Sequence, residues 1–355
     1  MTVSPSRALV DAPVRITVSG LKPDARVVVH ASTRDLFGRR LSSALAVRAD
    51  DGGIAHVPET LLASMAPADR TSDYFDSMAG RAGQNVTVSA DGSSASLHWR
   101  IVDAHVRRRE IRGSFYADFF ERPSARPRPA VVLFGGSEGN LYGVEQQAAL
   151  LAAHGFPTLA LAYFGARGLP QTLTRVPLEY FARALRWLGS QPGVDPHRLY
   201  VDGVSRGSEA ALLLGVHYPQ LVHGVVAMST SDFVLCSYPA CDGPAWTFGG
   251  RPIEFQDSQT DANAPIPVER IRGRVLLVCG GADAFWHSCP MAQAIVERRR
   301  PQPTTLLEYP DAGHGVGDPV PNVPRHLAAE EGRTRLADDR ARADAWPKLL
   351  RFLSG

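Results

Sequence analysis

At 355 residues the chain exceeds the usual size of one domain, and 44% hydrophobic against 21% charged residues are the proportions of a folded globular protein, not a disordered one. A net charge of +2, with the basic residues almost all arginine and scattered along the chain, argues against nucleic acid as a partner. No apolar run reaches the roughly 18 residues that cross a bilayer, so no membrane partner is expected, and the first residues lack the basic and apolar regions of a leader. The expected location is the cytoplasm.

From Ala12 to about Ile101 the hydropathy period is two. Val14, Ile16 and Val18 alternate with polar neighbours, and further strands are predicted at Arg26 to Ala31 and ahead of the Asp50-Asp51-Gly52-Gly53 turn. Asp91-Gly92 marks a hairpin, after which Leu97, Trp99 and Ile101 share one face. Several short strands at this spacing predict an N-terminal all-β, immunoglobulin-like sandwich over residues 1–104. The stretch Val106 to Gly113, "VRRREIRG", alternates arginines with Val and Ile and suits a solvated strand face better than a basic binding patch.

From about Phe115 onward apolar runs alternate with helical patterns, the mark of a mostly parallel sheet covered by helices on both faces; the second domain is assigned to 105–355. Pro129 to Gly136 reads as a strand buried on both faces, followed by a glycine-rich loop and a helix that stops near Gly155. "FPTLALAYF" is the next strand. Leu178, Phe181, Leu185 and Leu188 recur at spacings of three and four, predicting an amphipathic helix. "HRLYVDG" is a strand leading to a serine turn and a further helix, then come "VHGVVAMS", a Pro/Gly-rich cap-like insertion at about 231–267, the strand "RVLLVCGG", another helix and the strand "TTLLEYP". Cys236, Cys241, Cys279 and Cys289 lack paired CxxC spacing and a nearby histidine cluster, so no metal site follows and free thiols are expected; Cys236 and Cys241 could close a small loop only if oxidised.

Gly203-Val204-Ser205-Arg206-Gly207 satisfies G-x-S-x-G between a strand and a helix, the context of a nucleophile elbow in an α/β-hydrolase fold. There the glycines let the backbone turn sharply, and Ser205 comes to the N-terminus of a helix whose dipole favours a developing oxyanion. The alternative is a small residue in a tight turn. A serine nucleophile requires a base oriented by a carboxylate, in the chain order Ser, acid, His. Asp283 ends the strand "RVLLVCGG", and His314 follows the last predicted strand between two glycines. Asp283 could instead cap the helix starting near Ser288, and His314 could be a surface loop residue, but only this histidine holds the required position. The loop "LFGGSEGN" offers Gly136 and Ser137 as backbone oxyanion donors beside the N–H of Arg206.

The stretches "LFGGSEG", "LYVDGVSRGSE", "PIPVERIRGRVLLVCGGADAFW", "DAGHGV" and "RADAWPKLLRFL" resemble the bile acid-CoA:amino acid N-acyltransferase and type I acyl-CoA thioesterase family of α/β-hydrolases. The N-terminal "ALVDAPVRITVSGLKPDARVVVHAST" resembles the β-sandwich of the same family, so the resemblance covers nearly the whole chain. It implies Ser205 as nucleophile, Asp283 as acid and His314 as base, with a small-molecule acyl thioester as partner. Hydrolytic members carry serine and the N-acyltransferase branch cysteine, which points to hydrolysis. One departure is "CSYPACDGPAWTFGG", shorter and differently composed than the corresponding segment of fatty acyl-CoA members. No nucleotide-phosphate loop is recognisable, and Arg167 or Arg206 are offered as phosphate partners. Water as acceptor makes the protein a thioesterase with no metal or redox cofactor. An amine or alcohol acceptor, an oxygen-ester substrate, or a non-catalytic binding role on the same scaffold are the competing readings.

Overall fold

The computed structural model describes residues 1–34, 38–67, 74–75, 83–141, 143–257, 264–317, 325–326 and 335–355. The chain divides into two compact units, Met1–Asp103 with Pro319–Trp346, and Ala104–Asp318 with Pro347–Gly355. The division near residue 104 was legible in the change of period. That Pro319–Trp346 joins the first unit was not, because a pairing across the length of the chain leaves no local pattern: Trp346 Nε1 donates to Asp11 Oδ2 at 2.9 Å.

In the first unit, Thr2–Ser4, Arg15–Val18 and Ala55–Val57 form one sheet, and a six-stranded sheet runs Arg7–Leu9, Ser93–Arg100, Gln84–Ala90, Arg26–Arg34, Arg40–Arg48, Ala66–Pro67. Alternation along these strands separates the two sheet faces. Val27, Val29 and Ala31 are buried while Val28 is exposed. Asp91 and Gly92 turn the hairpin at φ 45° and 76°, and it pairs Ser93 with Ala90 through to Trp99 with Gln84. One helical turn, Thr60–Ala63, interrupts the strands.

The second unit is built on an eight-stranded sheet: β1 (Arg107–Arg112), β2 (Tyr116–Glu121), β3 (Arg128–Phe134), β4 (Thr158–Ala162), β5 (Val194–Val204), β6 (Gly224–Met228), β7 (Arg274–Gly280) and β8 (Thr304–Tyr309). Their order is β1-β2-β4-β3-β5-β6-β7-β8, with β3 to β8 parallel and β2 antiparallel to both neighbours. The connecting helices are α1 (Val144–Ala153), α2 (Leu178–Gly189), α3 (Arg206–His217) and α4 (Ser288–Arg298), and the terminal α5 (Arg335–Ser354) belongs to this unit from Pro347 onward. Every residue of β4 and β6 is buried, which requires cover on both faces of the sheet. Leu178, Phe181, Leu185 and Leu188 of α2 have no exposed surface, as their spacing predicts. The chain leaves β3 toward β4 on one side and returns through β5 on the other. That reversal creates a crevice beyond the carboxyl ends of β3 and β5, where open α/β sheets bind their ligands.

Strand β2 has no sequence counterpart in the reading above, since "YADFFE" is buried at four successive positions and does not alternate. The insertion at 231–267, of which 258–263 lie outside the described residues, is buried over 233–237 and 245–247 and exposed over 238–242 and 248–252. Trp246–Phe248 and Arg251–Pro252 form a small sheet with Val176–Pro177, and Phe233 and Leu235 cluster with Trp286 and Met291. The cysteines depart from expectation: Cys236 is bonded to Cys241 and Cys279 to Cys289, leaving no free thiol among the described residues. Folding supplies what spacing hides, as α4 turns back onto β7 and brings the Cα atoms of Cys279 and Cys289 to 5.0 Å. Among the described residues no helix is long and apolar enough to cross a membrane.

Candidate active site

Strand β5 ends at Val204 and α3 begins at Arg206, so Ser205 must reverse the chain alone. It does so at φ 55° and ψ −124°, a conformation costly to any residue but glycine. Its N–H donates to Met228 O at 2.9 Å, anchoring the turn to β6. The glycines are sterically required: a Cβ on Gly203 would collide with the carbonyl of Gly207, and one on Gly207 with the carbonyl of Gly135. Ser205 occupies the N-cap position of α3, yet its side chain makes no capping hydrogen bond. The hydroxyl is therefore not engaged in the role that serine commonly has at such a position.

Asp283 lies in the loop between β7 and α4. Its Oδ1 accepts the backbone N–H groups of Phe285 (3.0 Å) and Trp286 (3.2 Å), and its Oδ2 is 2.9 Å from His314 Nδ1. The capping alternative fails, because the N-cap of α4 is His287. Asp283 is 1% and His314 13% exposed in their side chains, a carboxylate sealed behind a partly open imidazole. Phe285 and Trp286 pack on the imidazole with ring centroids 4.8 and 5.7 Å away. The backbone of His314 is held in turn by Ser229, whose Oγ donates to His314 O at 2.8 Å. Ser229 directly follows β6, the strand beside β5, and its neighbour Met228 holds the Ser205 amide. His314 is thereby fastened to the strand adjacent to the serine turn.

Gly136 approaches Ser205 closely: a Cβ there would stand 2.9 Å from the Ser205 Cβ. Its amide, however, donates to Glu138 Oε1 at 2.9 Å, so a carboxylate already occupies the N–H that the sequence reading offered to a substrate oxygen. Ser137 is half-buried on the same loop. The loop is pinned by Tyr163, whose OH lies 2.9 Å from both Gly135 O and Gly136 O and whose ionisation is suppressed by burial. Arg206 divides by atom. Its N–H opens the first turn of α3, where no helical acceptor exists. Its guanidinium is buried against Glu209 at 2.5 Å and donates to Leu235 O and Cys236 O, so it is unavailable to substrate phosphate, contrary to the sequence-based suggestion. Glu209 also accepts Trp246 Nε1 (3.0 Å) and Leu235 N (3.2 Å), fastening the insertion to the helix that carries the serine turn. Tyr163, Ser229, Glu138 and Glu209 were not singled out from the sequence. Only the clustering of Glu209 after G-x-S-x-G offered a local signal.

The family model described as BAAT / Acyl-CoA thioester hydrolase C terminal matches residues 176–242 and 250–355. The bile acid-CoA:amino acid N-acyltransferase of Mus musculus is 29% identical over 90% of this chain and 87% of its own length. Acyl-coenzyme A amino acid N-acyltransferase 1 of Mus musculus is 27% identical over 90% and 86%. The peroxisomal succinyl-coenzyme A thioesterase of Mus musculus is 27% identical over 99% and 95%. The C-terminal match and the near full-length alignments make the chain similar to the acyl-CoA thioester hydrolase and bile acid-CoA:amino acid N-acyltransferase family.

Proposed function

We propose that the protein hydrolyses acyl-CoA thioesters through a Ser205–His314–Asp283 triad and a covalent acyl-enzyme. The observation that carries this reading is the 2.9 Å pair of Asp283 and His314 on loops beside a strained serine whose hydroxyl does not cap its helix. In the first half-reaction His314 takes the Ser205 proton as Oγ attacks the thioester carbonyl, and returns it to the departing thiolate. In the second it activates water against the acyl-enzyme. Asp283, held by two backbone donors, keeps Nδ1 protonated and steadies the charged imidazole. The oxyanion sits against the amides of Arg206 and Ser137, with Gly136 present for close approach. This chemistry asks for no metal or redox cofactor.

Serine as nucleophile favours hydrolysis. Transfer to an amine or alcohol is the second reading, favoured by the N-acyltransferases among the relatives. We take residues 105–355, less the 319–346 stretch that joins the first unit, as the catalytic domain, with 231–267 roofing the acyl pocket, and the N-terminal sheets as an immunoglobulin-like sandwich, on their short strands of alternating burial. We assign the protein to the cytoplasm. The two disulfides must then persist in a reducing compartment, and titration of free thiols in freshly lysed cells checks this.

The test is brief mixing with a panel of acyl-CoA thioesters, followed by intact-mass spectrometry and thiol release. An acyl-sized mass increment and thiol release, both absent in Ser205→Ala, are expected. Thiol release that survives in Ser205→Ala would end the triad reading, and turnover of p-nitrophenyl esters alone would make the protein an esterase.

A further inference from the structure

Beyond the triad, one further cavity stands on the same edge of the sheet. The turn between β1 and β2, the loop after β4 and the start of α2 enclose about 740 Å³, lined by Arg112, Tyr116, Arg167, Leu169, Tyr180 and Arg183 among others. Three guanidinium groups line it, and none of its described lining residues is acidic. The three arginines are not equivalent. Arg112 is fixed as part of the wall, stacked 4.0 Å from the centre of the Tyr116 ring, donating to Ala117 O and paired with Asp118 Oδ1 at 2.8 Å. Arg167 and Arg183 are exposed, and neither has a carboxylate partner among the described residues. Tyr180 braces the floor: its OH donates to Ala162 O (2.6 Å) and accepts the Tyr116 N–H (2.9 Å).

The position of this cavity is set by the strand register. Tyr116 stands opposite Ala162, two residues beyond the Ala160–Leu133 pair, while Leu133 stands opposite Asp202. Continuing those ladders by two residues brings Tyr116 level with Val204, immediately before Ser205. Three strand spacings separate β2 from β5, about 14 Å at roughly 4.8 Å each. The space between is crossed by one loop. Asn140 N–H, just past the Gly136–Ser137 turn, donates to Phe164 O at 2.8 Å, and three residues after Phe164 the same loop presents Arg167.

We infer that this cavity is the site for the phosphorylated adenosine end of the acyl carrier, with Arg167 and Arg183 holding phosphates and Arg112 offering its stacked guanidinium plane. The inference rests on the thioesterase reading for the identity of the carrier. Cationic forks without a carboxylate partner suit phosphate oxygens, Arg183 being steadied over the Tyr180 ring at 5.6 Å, and an immobilised planar guanidinium suits a purine face. The spacing matches as well: a pantetheine arm, extended at about 3.5 Å per peptide-length unit over about four units, reaches on the order of 14 Å. A carrier lacking the nucleotide would leave these charges unmatched.

The experiment measures binding of adenosine 3′,5′-bisphosphate by calorimetry, and its inhibition of acyl-CoA turnover, for the wild type and the Arg167→Ala/Arg183→Ala double variant. Steady-state kinetics on acyl-CoA and on the N-acetylcysteamine thioester of the same acyl group run alongside. The wild type is expected to bind the bisphosphate, and the double variant to lose at least tenfold in that affinity and gain 10- to 100-fold in KM for acyl-CoA, with kcat within about threefold. KM for the short thioester should rise far less. Because both arginines are exposed, an unchanged thermal midpoint is the folding control. Failure of the wild type to bind the bisphosphate, or equal KM shifts for the two substrates, overturns the inference while leaving thioester hydrolysis standing. Absence of turnover on both thioesters would sink the functional reading instead, and the calorimetry then still decides whether a nucleotide occupies the cavity.

Discussion

Two acid–base pairs flank the serine turn, Asp283 with His314 and Glu209 with Arg206, and they differ in exposure. In the first, a sealed carboxylate presents a partly open imidazole from a short loop. In the second, both partners are buried, at 7% and 0% exposure, with Arg206 Nη2 donating to Leu235 O and Cys236 O and Glu209 Oε2 accepting from Leu235 N and Trp246 Nε1. Burial thus turns one pair into a fastening, while the other keeps a partly open imidazole. Ionic pairing by itself says little about catalysis.

The sharpest way to break the comparison is Asp283→Asn. Replacing the carboxylate should cost about 10³- to 10⁴-fold in kcat, through loss of the imidazole orientation and charge balance, with a small change in thermal midpoint. Steady-state kinetics beside a melting curve check it, and a large stability loss with preserved activity would reverse the assignment. Glu209→Ala should do the opposite. It strands the Arg206 guanidinium in the interior, at a cost of about 3–5 kcal/mol in denaturant unfolding.

A smaller effect is expected at the loop that carries Asp283. The Cys279–Cys289 bond closes ten residues around it, and Cys289→Ser should lower stability by about 2–3 kcal/mol on loop-entropy grounds. Chemical unfolding measures that loss, and equal stability with and without reductant would show that the bond does not form in solution.

The smallest effect belongs to a third pair, Asp118 with Glu145, beside Arg108. Burial, and then the hydrogen bond shared with Asp118, push the Glu145 carboxyl up to about 7. Its ordinary value is about 4.3, so between the two the folded chain retains a proton that the unfolded chain releases. Stability from this group is complete below about pH 4 and declines as pH rises to about 7. Thermal midpoints of the wild type should fall relative to Glu145→Gln between pH 5 and 7.5. Parallel curves would place the proton elsewhere.

How far the sequence could be read depended on whether the relevant interaction was local. The elbow was legible because its glycines, serine and flanking strand and helix are contiguous, and steric necessity at Gly203 and Gly207 ties residue type to backbone path. Asp283 and His314 were legible from their places after successive strands. The Gly136 amide misled, because the carboxylate that engages it is a loop side chain two residues on whose direction no pattern encodes. Arg206 misled for the same reason. Arg206 and Arg167 look alike in sequence, but one is folded under the insertion and the other lines a cavity. The disulfides escaped because proximity of Cys279 and Cys289 arises only when α4 packs on β7.

By itself the sequence determined the change from period-two strands to an alternating α/β pattern, the serine turn, and the places of Asp283 and His314 after successive strands. Each follows from short-range sterics and from the burial of apolar faces at a fixed period. Tertiary structure alone decided which charges would be sealed and which exposed, which thiols would pair, and that Tyr116 and Val204, 88 positions apart in numbering, stand at one level of one sheet. Hydrogen-bond ladders set that register, and desolvation depends on every element packed around a group; neither quantity is carried by the neighbours of a residue along the chain.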